Sequence, residues 1–237
     1  MTNFYGIQKL HLKLFVDAVF GIAITLLAVE LQIPQLITSF DNDLSDEIWH
    51  FISQISSYAI CFAVVGLYWI SYHAVINPIK KTTDITIWCS ASLLFFITLT
   101  PFTFKLVDEY PTNDYVILFY NTVQILAGSI LIFTWFYSVK NNFFEDGNDN
   151  DENTGGLSDN KNNSTAKNGN IKKLIIKVTY YRLSTIPSVF VLSTILLYFN
   201  HETVDELAKL LPALVIPISI VIRLKYRKHK NLFFQQL

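Results

Sequence analysis

The stretch "HLKLFVDAVFGIAITLLAVELQIP", residues 11–34, decides how the rest of the chain is read. From Leu14 to Pro34 it is almost continuously apolar, with Asp17 and Glu30 as its acidic residues. An α-helix rises ~1.5 Å per residue, so about 20 residues cover the ~30 Å hydrocarbon thickness of a bilayer. The segment is predicted to be a membrane-spanning helix. Lys9 and Lys13 ahead of an apolar run resemble a secretory leader. The run is too long for a leader core, carries acidic residues and lacks a small-x-small cleavage site, so a retained helix is expected.

Five further stretches match it: Ile48–Ile70, Ile85–Leu106, Tyr115–Val139, Leu174–Phe199 and Leu207–Leu224. The expected fold is all-α, a polytopic membrane protein of six transmembrane helices. Residues 1–139 hold helices one to four, 140–173 form a flexible cytoplasmic linker, and 174–237 hold helices five and six with a basic tail. Composition agrees: of 237 residues, 51% are hydrophobic and 16% charged, and the charges fall in islands between the apolar runs. A soluble domain of this size would mix them. The net charge of −1 gives no reason to expect a nucleic-acid partner. Cys61 and Cys89 lie inside apolar runs without metal-ligand spacing, which suits small buried hydrophobes.

Lysine and arginine set the orientation. The connections Gln35–Glu47, Val107–Asp114 and Asn200–Glu206 contain neither residue. The alternate side carries Lys9, Lys13, Lys80, Lys81, Lys140, Lys172, Lys173 and the tail from Arg223 to Lys230. Positive residues mark the cytoplasmic face, so both termini are expected inside a multi-pass protein of the plasma membrane. The run "NDNDENTGGLSDNKNNSTAKNGN" is too polar to offset its ordering entropy and is expected to be the linker's core. Phosphate-binding loops, nucleophile elbows, paired-histidine metal motifs and carboxylate pairs are missing from the sequence. An enzyme, a metal site or a bound cofactor is therefore not expected. A Thr-Val-Gly-Tyr-Gly filter loop is missing too, so any ion path must be built from helices.

At 100° per residue, Phe15, Ile22, Leu26, Val29 and Ile33 fall on one stripe of the first helix. Beside it runs a stripe of small residues, Ala18, Gly21, Thr25 and Ala28. Small side chains let helix backbones approach closely in a membrane, so this face suits packing against another helix around an axis. An apolar ridge alone is most often just a lipid-facing or core surface of a membrane helix. Asp17 is costly inside an apolar span, by roughly 2.5–3.5 kcal/mol at the centre and less near an end. It is expected to turn into the bundle towards His11, Lys13, Trp69 or His73. Arg182 is expected to reach the cytoplasmic interface, and Asn121 and Gln124 to hydrogen-bond between helices.

These residues resemble the endosomal and lysosomal potassium channel family, transmembrane protein 175, in its bacterial branch. The family signature Arg-x-x-x-Phe-Ser-Asp is similar to His11-x-x-x-Phe15-Val16-Asp17, and "AVFGIAITLLAVEL" follows it closely. The family's Trp-x-x-His-His is met by Trp69, Tyr72 and His73, and "SLLFFITLTPFTFKLVDEY" resembles its third helix. The likeness covers helices one to three and extends to the last three only in layout. His11 stands for the arginine and Val16 for the serine, so the network between the first two helices is altered, with Lys13 as a substitute positive charge.

The resemblance implies a homotetramer in the lipid bilayer whose first helices line a central pore for potassium ions. Ile22, Leu26 and Val29 would be the apolar constriction and Thr25 the hydroxyl facing permeating ions. His11, Phe15, Asp17, Trp69 and His73 would be the helix-packing signature, and Glu30 the outer mouth. The implied function is a weakly selective potassium channel. A proton-coupled secondary transporter is the alternative, motivated by Asp17, His73 and Arg182, although the two halves show no convincing repeat.

Overall fold

The computed structural model describes residues 8–29, 44–79, 82–141, 143 and 161–198. Within them the chain forms five helices: α1 (Lys9–Val29), α2 (Leu44–Ile76), α3 (Asp84–Glu109), α4 (Asp114–Lys140) and α5 (Lys161–Tyr198). All five contain a stretch long and apolar enough to cross a membrane, namely Lys9–Val29, Gln54–Ile76, Asp84–Glu109, Asp114–Lys140 and Val178–Leu197. The expected sixth span at Leu207–Leu224 lies outside the described residues.

The helix ends follow local chemistry. Pro78 and Pro111 sit in the turns after α2 and α3, where a residue without an N–H marks an exit. Thr83 caps α3 by accepting from the Thr86 N–H at 3.4 Å, and Asn113 caps α4 by accepting from the Tyr115 N–H at 3.1 Å. Asp84 and Asp114 stand in the first turns of those helices, where a negative charge complements the helix dipole. Lys140 does the converse in the last turn of α4. α5 starts at Lys161, well inside the stretch expected to be a flexible linker over 140–173. Once an apolar span has nucleated a helix, each added residue fixes few dihedrals per hydrogen bond, and the polar residues 161–173 extend it.

The core is one continuous cluster. Val16, Phe20, Ala23 and Leu27 of α1 meet Cys61, Val64 and Tyr68 of α2, Leu93 and Ile97 of α3, Ala127 and Leu131 of α4, and Ile186 and Phe190 of α5. α4 is the hub, packed most extensively on α3 and α5, while α1 lies against α3 and α2. With no water to satisfy them, polar groups of the core bond between helices. Gln124 Nε2 donates to Thr100 Oγ1 at 3.3 Å, linking α4 to α3. Asn121 Nδ2 donates to Ser193 Oγ at 3.1 Å, linking α4 to α5. The hydroxyl of Tyr68 on α2 donates to the Gln124 carbonyl at 2.6 Å. Asn121 and Gln124 thus make the interhelical bonds expected of them, whereas Thr100, Ser193 and Tyr68 carried no distinguishing signal in the sequence.

Two intrahelical prolines are accommodated differently. Around Pro101 the Thr98, Thr100 and Thr103 hydroxyls donate back to carbonyls of the same helix, at 3.0–3.2 Å. Pro187 of α5 lies against Gly128 of α4: a Cβ added at Gly128 would meet its Cδ at 2.9 Å and its Cβ and Cγ at 3.0 Å. A proline ring inside a helix cannot rotate away, so the two backbones are close only because residue 128 has no side chain. Gly128→Ala is expected to destabilise the fold by about 1–3 kcal/mol through overpacking. Thermal unfolding in detergent measures this, and an unchanged midpoint would mean that α4 and α5 are not in this close contact.

Candidate functional site

α1 is divided lengthwise. Leu12, Val16, Phe20, Ala23 and Leu27 form its buried stripe, recurring at three- and four-residue steps. The opposite side is left uncovered by the other described residues: Phe15 is 60% exposed, Ile22 56%, Leu26 46% and Val29 80%. The small stripe is open as well. Ala18, Gly21, Thr25 and Ala28 are exposed, and a Cβ built on Gly21 would find nothing within 4 Å. The Thr25 hydroxyl donates to the Ile22 carbonyl of its own helix at 2.8 Å, the ordinary resting bond of a threonine in an apolar span. Ridge and small stripe together make a broad apolar face that no helix of the described residues covers.

On the edge of that helix facing α2, Asp17 does what a carboxylate in this setting requires. Its Oδ1 accepts from the Trp69 indole Nε1 at 2.8 Å, and His73 Nε2 lies 2.8 Å from the same oxygen, which places the ring proton on Nε2. The His73 and Trp69 rings stand edge to face, with centroids 4.8 Å apart. Both donors come from the last two turns of the α2 span, spaced four residues apart and so on one face. The carboxylate is 37% exposed and the imidazole 19%. The arrangement ties the start of α1 to the end of α2.

A second tie lies one turn lower. Lys13 Nζ donates to Asn77 Oδ1 at 2.9 Å, and Lys9 Nζ to the Asn77 carbonyl at 2.6 Å. Carbonyls at a helix C-terminus are natural acceptors for ammonium groups, and the oxygens of Asn77 anchor both lysines there. Asn77 was not singled out in the sequence. Its one signal is its position, just ahead of Pro78 at a helix exit.

Of the five residues expected as a helix-packing signature, Asp17, Trp69 and His73 are brought together, and His11 and Phe15 are not. His11 is exposed on the uncovered side of α1, away from Asp17. Phe15, also exposed, makes no core contact, because two residues from Asp17 along a helix is the wrong side. Val16, where the resemblance expects serine, is fully buried, so that position packs as a hydrophobe. Tyr72, where it expects histidine, is buried with its hydroxyl 3.3 Å from Ser90 Oγ, reaching α3 instead of α1. Glu30 and Ile33 lie outside the described residues. Arg182 on α5 is half-buried.

An all-α bundle of membrane-length helices, with its first helix half uncovered and pinned to the second through a carboxylate, defines the class: a polytopic helical membrane protein. Residues 11–101, which span α1 to α3, match the model of the endosomal/lysosomal potassium channel TMEM175 family. A potassium channel of Chryseobacterium is 28% identical over 93 residues, covering 39% of this chain and 45% of that protein. One from Chamaesiphon minutus is 27% identical over 100 residues, covering 42% and 49%. The chain is matched over about half the length of these curated relatives. The crystal structure of a lysosomal potassium-selective channel TMEM175 homolog from Chamaesiphon minutus shares the fold with a TM-score of 0.65 at 15% identity, covering 92% of this chain and 97% of that one. The potassium channel MtTMEM175 T38A variant does so at 0.57 and 18% identity, covering 95% and 97%. Over α1 to α3 the chain is thus similar to bacterial potassium channels of the TMEM175 family, and its helices share the fold of two solved relatives.

Proposed function

We propose that the protein is a weakly selective potassium channel of the plasma membrane, a homotetramer whose first helices line the conduction path. The observation that carries this reading is the uncovered face of α1, on the helix where the family match begins. A lipid-facing helix has no need of a flat small-residue stripe. Ala18, Gly21, Thr25 and Ala28, open to 4 Å and beyond at Gly21, suit a backbone of a second copy. With copies docked there, the adjoining ridge turns to the shared axis. Ile22, Leu26 and Val29 then form stacked apolar rings, with the Thr25 hydroxyl beside them and Glu30 at the outer mouth.

Such rings resist wetting, and a hydrated ion sheds part of its shell to cross them. Potassium gives up water more readily than sodium, so it crosses at lower cost, and without carbonyl dipoles to replace that water the preference is modest. Six spans per subunit, counting Leu207–Leu224, put both termini on the cytoplasmic side, as the lysine distribution requires. Of the residues that motivated the transporter alternative, Asp17, His73 and Arg182, the first two are accounted for by helix docking, and no observation favours that alternative. Purified protein in liposomes is expected to pass potassium down a gradient faster than sodium. Absence of flux, or equal flux of both ions, would contradict the proposal.

A further inference from the structure

Phe15 is an apolar side chain 60% exposed near one end of α1, with no role in the core and none in the Asp17 network. It stands seven residues before Ile22, about 20° away in helical projection and ~10 Å along the axis. Between the two on the uncovered side is Ala18, exposed and small. A path lined by this face is therefore narrow at Ile22, wide at Ala18 and narrowed again at Phe15. The charged groups of this part of α1 are turned elsewhere: Asp17 to Trp69 and His73, Lys9 and Lys13 to Asn77. Among the described residues of α1, His11 is the ionisable side chain left on the uncovered side. With no carboxylate of the described α1 residues turned to that side, the negative faces of aromatic rings are what α1 offers there to attract a cation.

We infer that Phe15 forms a second, aromatic ring on the N-terminal side of the Ile22 constriction, and that the chamber between the rings binds organic quaternary ammonium cations. The inference rests on the proposed pore. Quaternary ammonium ions suit the chamber because they are weakly hydrated, carry apolar arms that bury against Ala18 and Ile22, and gain cation–π attraction from phenyl faces. A compact hydrated metal ion gains little of this.

The test is block of potassium current in planar bilayers by tetrapentylammonium, added to each side in turn and read as a fraction of each variant's own current. Block is expected from the side bearing the N-terminus. Phe15→Leu should raise the half-blocking concentration about tenfold or more, while Phe15→Trp, with the best cation–π ring, should lower it. Unchanged block in both variants, or current that tetrapentylammonium does not block, would overturn the inference and leave the pore standing. Current indifferent to Ile22→Asn would instead overturn the pore reading, and this inference with it.

Discussion

Ile22→Asn is expected to raise potassium flux roughly tenfold and to bring the potassium-to-sodium ratio close to one. In the proposed pore, a ring of Ile22 side chains would offer a crossing ion no oxygen, so the barrier would be the water that must be left behind. An amide at the same position keeps water in the ring and coordinates the ion itself. Lowering the barrier by ~1.4 kcal/mol is enough for a factor of ten. Sodium gains more than potassium, since it holds its water more tightly, and the preference shrinks. Leu26→Asn, one turn on along the same ridge, should act in the same direction with smaller effect if Ile22 is the narrower ring. Ile22 is 56% exposed in the subunit and contributes nothing to its core, so folding is not the reason for any change. Liposome flux with potassium and sodium gradients reads both effects, and flux unchanged in either variant would contradict the assignment.

Asp17→Ala is expected to cost the fold about 1–3 kcal/mol and to lower the current per reconstituted protein. The carboxylate is the shared acceptor of Trp69 Nε1 and His73 Nε2, both at 2.8 Å, and its loss leaves two donors unmatched near the membrane interface. Partial exposure of Asp17, at 37%, keeps the figure at the lower end, because water replaces part of what is lost. Conduction should suffer because the N-terminal end of α1 would then keep its apolar packing and the Lys9 and Lys13 bonds to Asn77 but lose the tie that fixes it to Trp69 and His73. Asp17→Asn keeps one acceptor oxygen and should fall between wild type and Asp17→Ala. Thermal unfolding and current, measured on the same samples, check the order. Equal stability in all three proteins would show that Asp17 does not tie the two helices.

The helical class and the five described spans were legible because the membrane simplifies the code: long apolar runs with prolines at their exits leave few readings. The Asp17 partnership was legible in part, since a carboxylate in an apolar span must find donors, and Trp69 and His73 were among the candidates the sequence offered. Choosing between them and His11 or Lys13 required knowing which turn of α2 lies opposite, a matter of packing that no local pattern encodes. Phe15 shows the same limit. Its place in the signature beside Asp17 suggested a shared role, yet neighbours in sequence point to different sides of a helix. The start of α5 at Lys161 was missed for another reason: its first residues are polar, and their helicity is inherited from the span that follows. Gly128 against Pro187 was invisible, because nothing in either segment names the other.

Whether water reaches the uncovered face of α1 from the ion path can be measured at one atom. In a background with Cys61 and Cys89 replaced by alanine, Ile22→Cys and Phe133→Cys present a thiol on α1 and on an exposed, outward-facing position of α4, respectively. A membrane-impermeant charged thiosulfonate reagent applied during current recording should abolish or strongly reduce potassium current through Ile22→Cys and leave Phe133→Cys unaffected. Current through Ile22→Cys that persists unaltered under the reagent would place that ridge in lipid, not beside the permeating ions.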